Sequence, residues 1–240
     1  MNTVLIFAGG AGTRMRSSDT TPKQFLKLHG KDIIIHTIEH FEQHPEIDAI
    51  VVVCIASWIS YLKNLLTRYA ITKVHWVVEG GNTGQDSIYN GLKLLGREYP
   101  DDTIVLIHDG VRPLINSRVI TDNIACVKKY GSAITVAPSV ETVITVNETG
   151  NIDRINDRSK SMLAKAPQTF FLKDILKAHE NALSEARHDF IDSASIMSHY
   201  GFSLKTVEGP YENIKITTPS DYYIFRAINE ARENSQIFGI

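Results

Sequence analysis

"TVLIFAGGAGTR", residues 3–14, decides how the chain is read. Thr3–Phe7 is an apolar, β-branched run with no polar alternation, the pattern of a strand buried on both faces. Glycines follow at once, then Arg14, with Pro22-Lys23 further on. Such a turn has two readings: an ordinary tight connection with solvated arginines, or a cradle whose backbone N–H groups approach a phosphate with no Cβ in the way. It is not a Walker-type loop. Nor is it a full dinucleotide fingerprint, because Met15 stands where the third glycine belongs.

Outward from this stretch, apolar runs alternate with amphipathic ones. Helices are expected near Ile33–Gln43, Ser57–Tyr69, Asp86–Tyr99 and Ser117–Tyr130, and strands at Ala49–Ile55, Val74–Val78, Thr103–His108 and Ala133–Ala137. The alternation predicts an α/β fold with a mostly parallel twisted sheet and helices on both faces. After Pro138 the rhythm breaks. "VETVITVNETGNIDRI", residues 140–155, places the turn signal Asn147–Asn151 between two strand-like runs, which predicts a projecting β-hairpin arm over about 139–165. Helices at Leu172–Glu185 and Asp192–His199, a strand at Ser203–Val207 and a last helix from about Ser220 close the chain. With no internal repeat or long linker, residues 1–240 read as one domain.

Composition narrows the function. At 43% hydrophobic residues, 240 residues bury a core that needs no disulfide. Cys54 and Cys126 sit inside apolar runs, nothing resembles a secretion signal, and no apolar run is long enough for a bilayer. A cytoplasmic protein with no membrane partner is expected. A net charge of −2 argues against a nucleic-acid partner held by bulk phosphate attraction, so any anion must meet a local cluster of positive charge.

Ligands of open α/β sheets bind at the carboxyl ends of the strands. The first strand is followed by Ala8, Gly9, Gly10, Ala11, Gly12, Thr13 and Arg14, with Lys23 beyond and Arg16 less central. After the third come Gly80, Gly81 and Asn82, then Asp86 and Ser87; amide and hydroxyl suit a nucleobase edge, while Asp86 or Ser87 equally suits a helix cap. The fourth ends in His108-Asp109-Gly110-Val111-Arg112-Pro113. Asp109 suits Mg²⁺ on nucleotide phosphates and Arg112 suits a second phosphate; the competing reading is a turn-capping aspartate beside a surface arginine. His108 is read as structural. Lys215, in "NIKITTP", is either a snorkelling surface residue or a fixed point charge. Cys/His metal clusters and a G-x-S-x-G elbow are both missing from the sequence.

Taken in order, AGGAGTRM, PKQFL, GGN…DS, HDGVRP, APQTF and ENIKITTP resemble the cytidylyltransferase family that includes the methylerythritol-phosphate and ribitol-5-phosphate enzymes. AGGAGTRM, PKQFL and the valine of HDGVRP look more like the ribitol-5-phosphate branch. The resemblance implies a Rossmann-like nucleotidyltransferase fold and a homodimer whose arms reach across to the partner. It implies attack of a polyol phosphate on the α-phosphorus of CTP, with release of pyrophosphate. Arg14 and Lys23 would hold the triphosphate, and Lys23 and Lys215 would stabilise charge around the α-phosphorus. The loops Ala8–Thr13 and Gly80–Asn82 with Ser87 would bind the nucleotide, Asn82 and Ser87 facing the cytosine. Asp109 would ligate Mg²⁺ and border the acceptor. Arg112, with Thr142 and Arg158 from the partner's arm, would receive the acceptor's phosphate and hydroxyls. The implied product is CDP-ribitol for a cell-surface polymer such as a teichoic acid or capsule.

Two positions depart from the family pattern. Gly84 stands where an arginine is common, and Ile191, in FIDSAS, stands where methylerythritol-phosphate enzymes usually offer a threonine. Methylerythritol 4-phosphate and other polyol phosphates stay open as acceptors. A silent nucleotide-binding module would lack a phosphate-handling residue, yet Arg14, Lys23, Asp109 and Lys215 are all present. A nicotinamide-dependent oxidoreductase would close its second strand with an acidic residue, and here it ends Cys54-Ile55-Ala56-Ser57.

Overall fold

The structure is a computed structural model that describes residues 1–10 and 21–238. Its centre is a seven-stranded sheet built from β1 (Asn2–Ala8), β4 (Ala49–Cys54), β5 (Val74–Glu79), β6 (Ile104–Asp109), β7 (Ser132–Pro138), β10 (Met162–Phe171) and β11 (Thr206–Glu208). The strand order is β11-β7-β10-β6-β1-β4-β5. Neighbours β1/β4, β1/β6, β4/β5 and β7/β11 run parallel, whereas β10 runs antiparallel to both β6 and β7. The chain leaves β1 toward β4 and β5 and then returns to β6 on the other side of β1. That reversal is the switch point at which such sheets bind ligands. Register sharpens it: Ala8 lies opposite Cys54, Cys54 opposite Glu79 and Phe7 opposite Asp109, so four carboxyl ends stop level.

Alternation along the strands fills two cores. Val4 and Ile6 face α1 (Ile33–Glu42), α2 (Ile59–Arg68) and α4 (Ser117–Tyr130) on one side. Leu5, Val51 and Val53 face α3 (Gly84–Glu98), α5 (Leu172–Ser184) and α6 (Ser193–His199) on the other. Phe225 of α7 (Pro219–Phe238) seals a third cluster with Leu28, Ile33, Val111 and Ile216. Local signals fix the helix ends. Asn116 Oδ1 accepts the Val119 N–H at 3.0 Å to open α4, and Gly131, at φ +84°, closes it where a Cβ would be strained.

Three strands differ from the sequence reading. A strand at Ser203–Val207 is realised as Thr206–Glu208, since only those residues pair with β7. The edge strand β5 has no fully buried residue, so it is not buried on both faces like its neighbours. β10 was not anticipated as a strand: Lys165 and Pro167 interrupt its apolar pattern. The expected hairpin forms from β8 (Ile144–Val146) and β9 (Ile152–Ile155), paired antiparallel with every residue exposed. Asn147 Oδ1 ties its turn by accepting from the N–H groups of Thr149 and Asn151. A two-stranded β2 (Lys27–Leu28) and β3 (Lys31–Asp32) ribbon precedes α1. No helix among the described residues is long and apolar enough to cross a membrane.

Candidate active site

Two glycine loops meet over one serine. Ser87, buried in the first turn of α3, donates from Oγ to the Thr83 carbonyl at 2.8 Å and accepts the Gly81 N–H at 3.0 Å. A Cβ on Gly9 would lie 3.0 Å from that Oγ, and one on Gly80 3.1 Å, so a side chain at either position would crowd Ser87 where the β1 and β5 loops close on it. Thr83 and Asp86 form a reciprocal capping box. The helix-cap reading of Asp86 is therefore realised, while Ser87 braces the loop. Asn82 stands exposed on the turn between β5 and α3. From the other side Gln24, fully buried, donates its amide to the carbonyls of Ala8 at 2.7 Å and Gly10 at 3.3 Å. Gln24 thus grips the start of the first glycine loop.

The end of β6 presents a charge cluster. Asp109 Oδ1 lies 2.6 Å from Lys215 Nζ, and Oδ2 accepts from Arg112 Nε at 3.1 Å. Burial pushes the Asp109 carboxyl up, but Arg112 and Lys215 outweigh that and hold it below the usual carboxylate range. One carboxylate therefore serves two cations. Arg112 also donates from Nη1 to the Asn213 carbonyl at 2.7 Å, and Ile216 N–H donates to Val111, which ties the loop carrying Lys215 to the β6 loop. His108, on the opposite face of β6, packs edge-on to Phe41 with Nε2 at 3.1 Å from the Arg112 carbonyl. Burial pushes its imidazole down to about 3, so it is neutral and structural.

A cavity of about 440 Å³ opens beside this cluster. Asp109, Arg112, Lys215 and Phe7 line it together with Gln168, His179, Phe190, Ile191 and Asp192. Ile191 is 95% exposed and offers no hydroxyl. Lys165, from β10, also lines it and was missed in the sequence, as was Gln24. The available signal was a lone lysine inside the apolar run "MLAKAPQTFF".

The expected site residues divide accordingly. Asp109, Arg112 and Lys215 are in contact, and Gly9, Gly80, Gly81 and Ser87 converge beside them. Lys23 opens a short turn, Lys23–Phe25. Its charge reaches Asp221 at the start of α7: burial raises that carboxyl, while Thr218 and Thr217 donors and Lys23 lower it. Lys23 thus lies toward the loop that carries Lys215. Thr142 and Arg158 sit exposed on the arm, outside the cavity lining of their own chain. Ala11, Gly12, Thr13, Arg14 and Arg16 lie outside the described residues. Among the described residues no three His, Cys, Asp or Glu side chains converge on a metal position. Asp109 alone fits Mg²⁺ that arrives on a triphosphate, since Mg²⁺ keeps waters and phosphate oxygens and needs only one or two carboxylates.

Comparison with known proteins agrees with this geometry. The model of the 2-C-methyl-D-erythritol 4-phosphate cytidylyltransferase family matches residues 2–231. A ribitol-5-phosphate cytidylyltransferase of Vibrio parahaemolyticus serotype O3:K6 is 53% identical over 239 residues, with all of both chains covered. One of Streptococcus agalactiae serotype III is 52% identical over 240 residues, again covering both chains. The crystal structure of a 4-diphosphocytidyl-2C-methyl-D-erythritol synthase from Anaerococcus prevotii superposes with a TM-score of 0.82 at 26% identity, covering 95% of this chain and 96% of that one.

Proposed function

Since the chain belongs to the 2-C-methyl-D-erythritol 4-phosphate cytidylyltransferase family, we propose that it transfers CMP from CTP to D-ribitol 5-phosphate, giving CDP-ribitol and pyrophosphate. The observation that carries this reading is the charge cluster at the end of β6, where one buried carboxylate is shared by Arg112 and Lys215 beside a cavity and two glycine loops. A phosphate oxygen of the acceptor attacks the α-phosphorus, and the bond to the bridging oxygen breaks with its electron pair leaving on pyrophosphate. The acceptor is already ionised near neutral pH, so no general base is required. Positioning and charge neutralisation do the catalysis.

Within that reaction the glycine loops with Ser87 seat the nucleotide, and Asn82 reaches the cytosine. Arg14 and Lys23 hold the triphosphate. Lys215 follows the charge that gathers at the α-phosphorus, which a compact ammonium does well. Asp109 holds Mg²⁺, which neutralises phosphate charge when bound. Arg112 takes the acceptor together with Thr142 and Arg158 from a second copy's arm. The exposed apolar side chains Ile144, Val146, Ile152 and Ile155 of that arm support a homodimer, with residues 1–240 as one domain and the arm as its interface. A cytoplasmic enzyme acting on small molecules, with neither nucleic acid nor membrane as partner, fits this chemistry. Methylerythritol 4-phosphate is the alternative acceptor, carried by the family model; the bare Ile191 side chain and the two fully covered ribitol-5-phosphate relatives favour ribitol.

The test is pyrophosphate release with CTP and Mg²⁺ against D-ribitol 5-phosphate, methylerythritol 4-phosphate and glycerol 3-phosphate in separate reactions. Release with D-ribitol 5-phosphate well above the other two is expected. Silence with all three would reject the reaction.

A further inference from the structure

Lys165 is a cation buried where its charge is poorly matched. It lines the cavity at 9% exposure, and no carboxylate lies within salt-bridge distance of it among the described residues. Its Nζ donates to the carbonyls of Tyr211 at 2.9 Å and Asn213 at 3.3 Å, and lies 5.1 Å from the Tyr211 ring centre. The Asn213 carbonyl is the same oxygen that Arg112 Nη1 reaches at 2.7 Å. Two cations therefore share one neutral acceptor. Burial and the neighbouring Arg112 hold the Lys165 ammonium below its usual range, and Glu212 offsets part of that.

Charge along the wall is unbalanced. Three cations, Arg112, Lys165 and Lys215, face two carboxylates, Asp109 and Asp192, a surplus of one positive charge, and Asp109 is already divided between Arg112 and Lys215. Asp192, the other acid in the lining, is committed to α6: it accepts the Ser195 N–H at 2.8 Å and the Gln168 amide at 2.8 Å. A cation out of water without a partner is costly, so such a surplus marks a place built for an anion. An ammonium has three donors and a guanidinium five. Lys165 gives two to the carbonyls, and Arg112 gives two to Asp109 and Asn213. Donors are left on both. A phosphate monoester, carrying between one and two negative charges near neutral pH, matches the surplus and the donors.

We propose that Lys165 is a specificity-determining residue, its ammonium binding the non-attacking phosphate oxygens of the acceptor beside Arg112; this inference rests on the reaction proposed above. Lys165 thereby selects acceptors that present a phosphate at that point of the cavity. The competing role is a clasp, in which the ammonium merely holds the loop that carries Lys215.

Steady-state kinetics of Lys165→Gln, Lys165→Met and Lys165→Arg separate the two. Glutamine keeps an N–H donor for the carbonyls but loses the charge. Loss of a charged hydrogen bond predicts a KM for D-ribitol 5-phosphate raised about tenfold to a hundredfold in both neutral variants, with the KM for CTP within about twofold and arginine near wild type. An unchanged acceptor KM in the glutamine variant, or a lower kcat with both KM values unchanged, would leave only the clasp. Thermal unfolding supplies a readout independent of turnover and of folding yield. With CTP filling the triphosphate cradle and Mg²⁺ withheld, D-ribitol 5-phosphate and inorganic phosphate should raise the Tm of wild type more than that of Lys165→Gln, and free ribitol should shift neither. If wild type releases no pyrophosphate with D-ribitol 5-phosphate, the reaction fails. Equal Tm shifts by inorganic phosphate in CTP-bound wild type and CTP-bound Lys165→Gln would instead reject the anion site, whatever the reaction.

Discussion

Asp109 sits between two cations at the one place in the sheet where four strands end level, and this makes Lys215 the residue to test. Its side chain is 38% exposed, so removing it opens no core cavity. Lys215→Ala should lower kcat by about 10²–10³-fold, the scale of a lost transition-state donor, with an unchanged circular dichroism spectrum. Near-normal turnover would contradict the role. Two buried histidines give a second residue-level prediction. Burial pushes His108 down to about 3 and His179 down to about 4, so neither takes a proton in the folded state near neutrality. Unfolded imidazoles do so below about pH 6.5. The unfolded chain then binds more protons, so stability is full above about pH 6.5 and falls as the pH drops toward 4. The Tm measured across that window should decline, and less steeply in His179→Phe. Parallel slopes would show that His179 contributes nothing to the decline.

At the scale of elements, the first turn of α3 is the brace for both glycine loops. Ser87→Ala removes the contact that holds Gly81 and Thr83, worth about 1 kcal/mol, and should raise the KM for CTP about fivefold with kcat within about twofold. An unchanged CTP KM would mean that the loops hold their shape without it. Elements with complete local signals were legible in the sequence. α4 runs over Ser117–Tyr130 as read because an asparagine caps it and a glycine ends it. Asp109 and Arg112 were legible as the residues that follow the fourth strand, and the resemblance joined Lys215, which lies in the loop before α7, to them. β10 was not legible, because Lys165 and Pro167 break its pattern and its antiparallel partners lie far away in the chain. The same break concealed Lys165, whose meaning depends on carbonyls of residues 211 and 213 that only folding brings to it. Gln24 was hidden for a like reason: its partners are backbone oxygens, which carry no sequence signature.

The whole molecule leaves an apolar hairpin in water, with Ile144, Val146, Ile152 and Ile155 each 46–65% exposed. An exposed patch of this kind on a two-stranded ribbon calls for a cover. If that cover is a second copy and each site takes Arg158 from it, Lys23→Ala and Arg158→Ala chains should each be inactive alone. Co-refolded in equal amounts they should recover about a quarter of wild-type activity, since half the dimers are mixed and each holds one intact site. No recovery would count against a shared site. The central claim, that this cavity selects a ribitol phosphate for cytidylyl transfer, is tested most directly by competition. Limiting CTP is given to the enzyme with equal D-ribitol 5-phosphate and methylerythritol 4-phosphate in one reaction, and the two nucleotide products are separated and weighed. CDP-ribitol is expected as the dominant product. A majority of the methylerythritol product would contradict it.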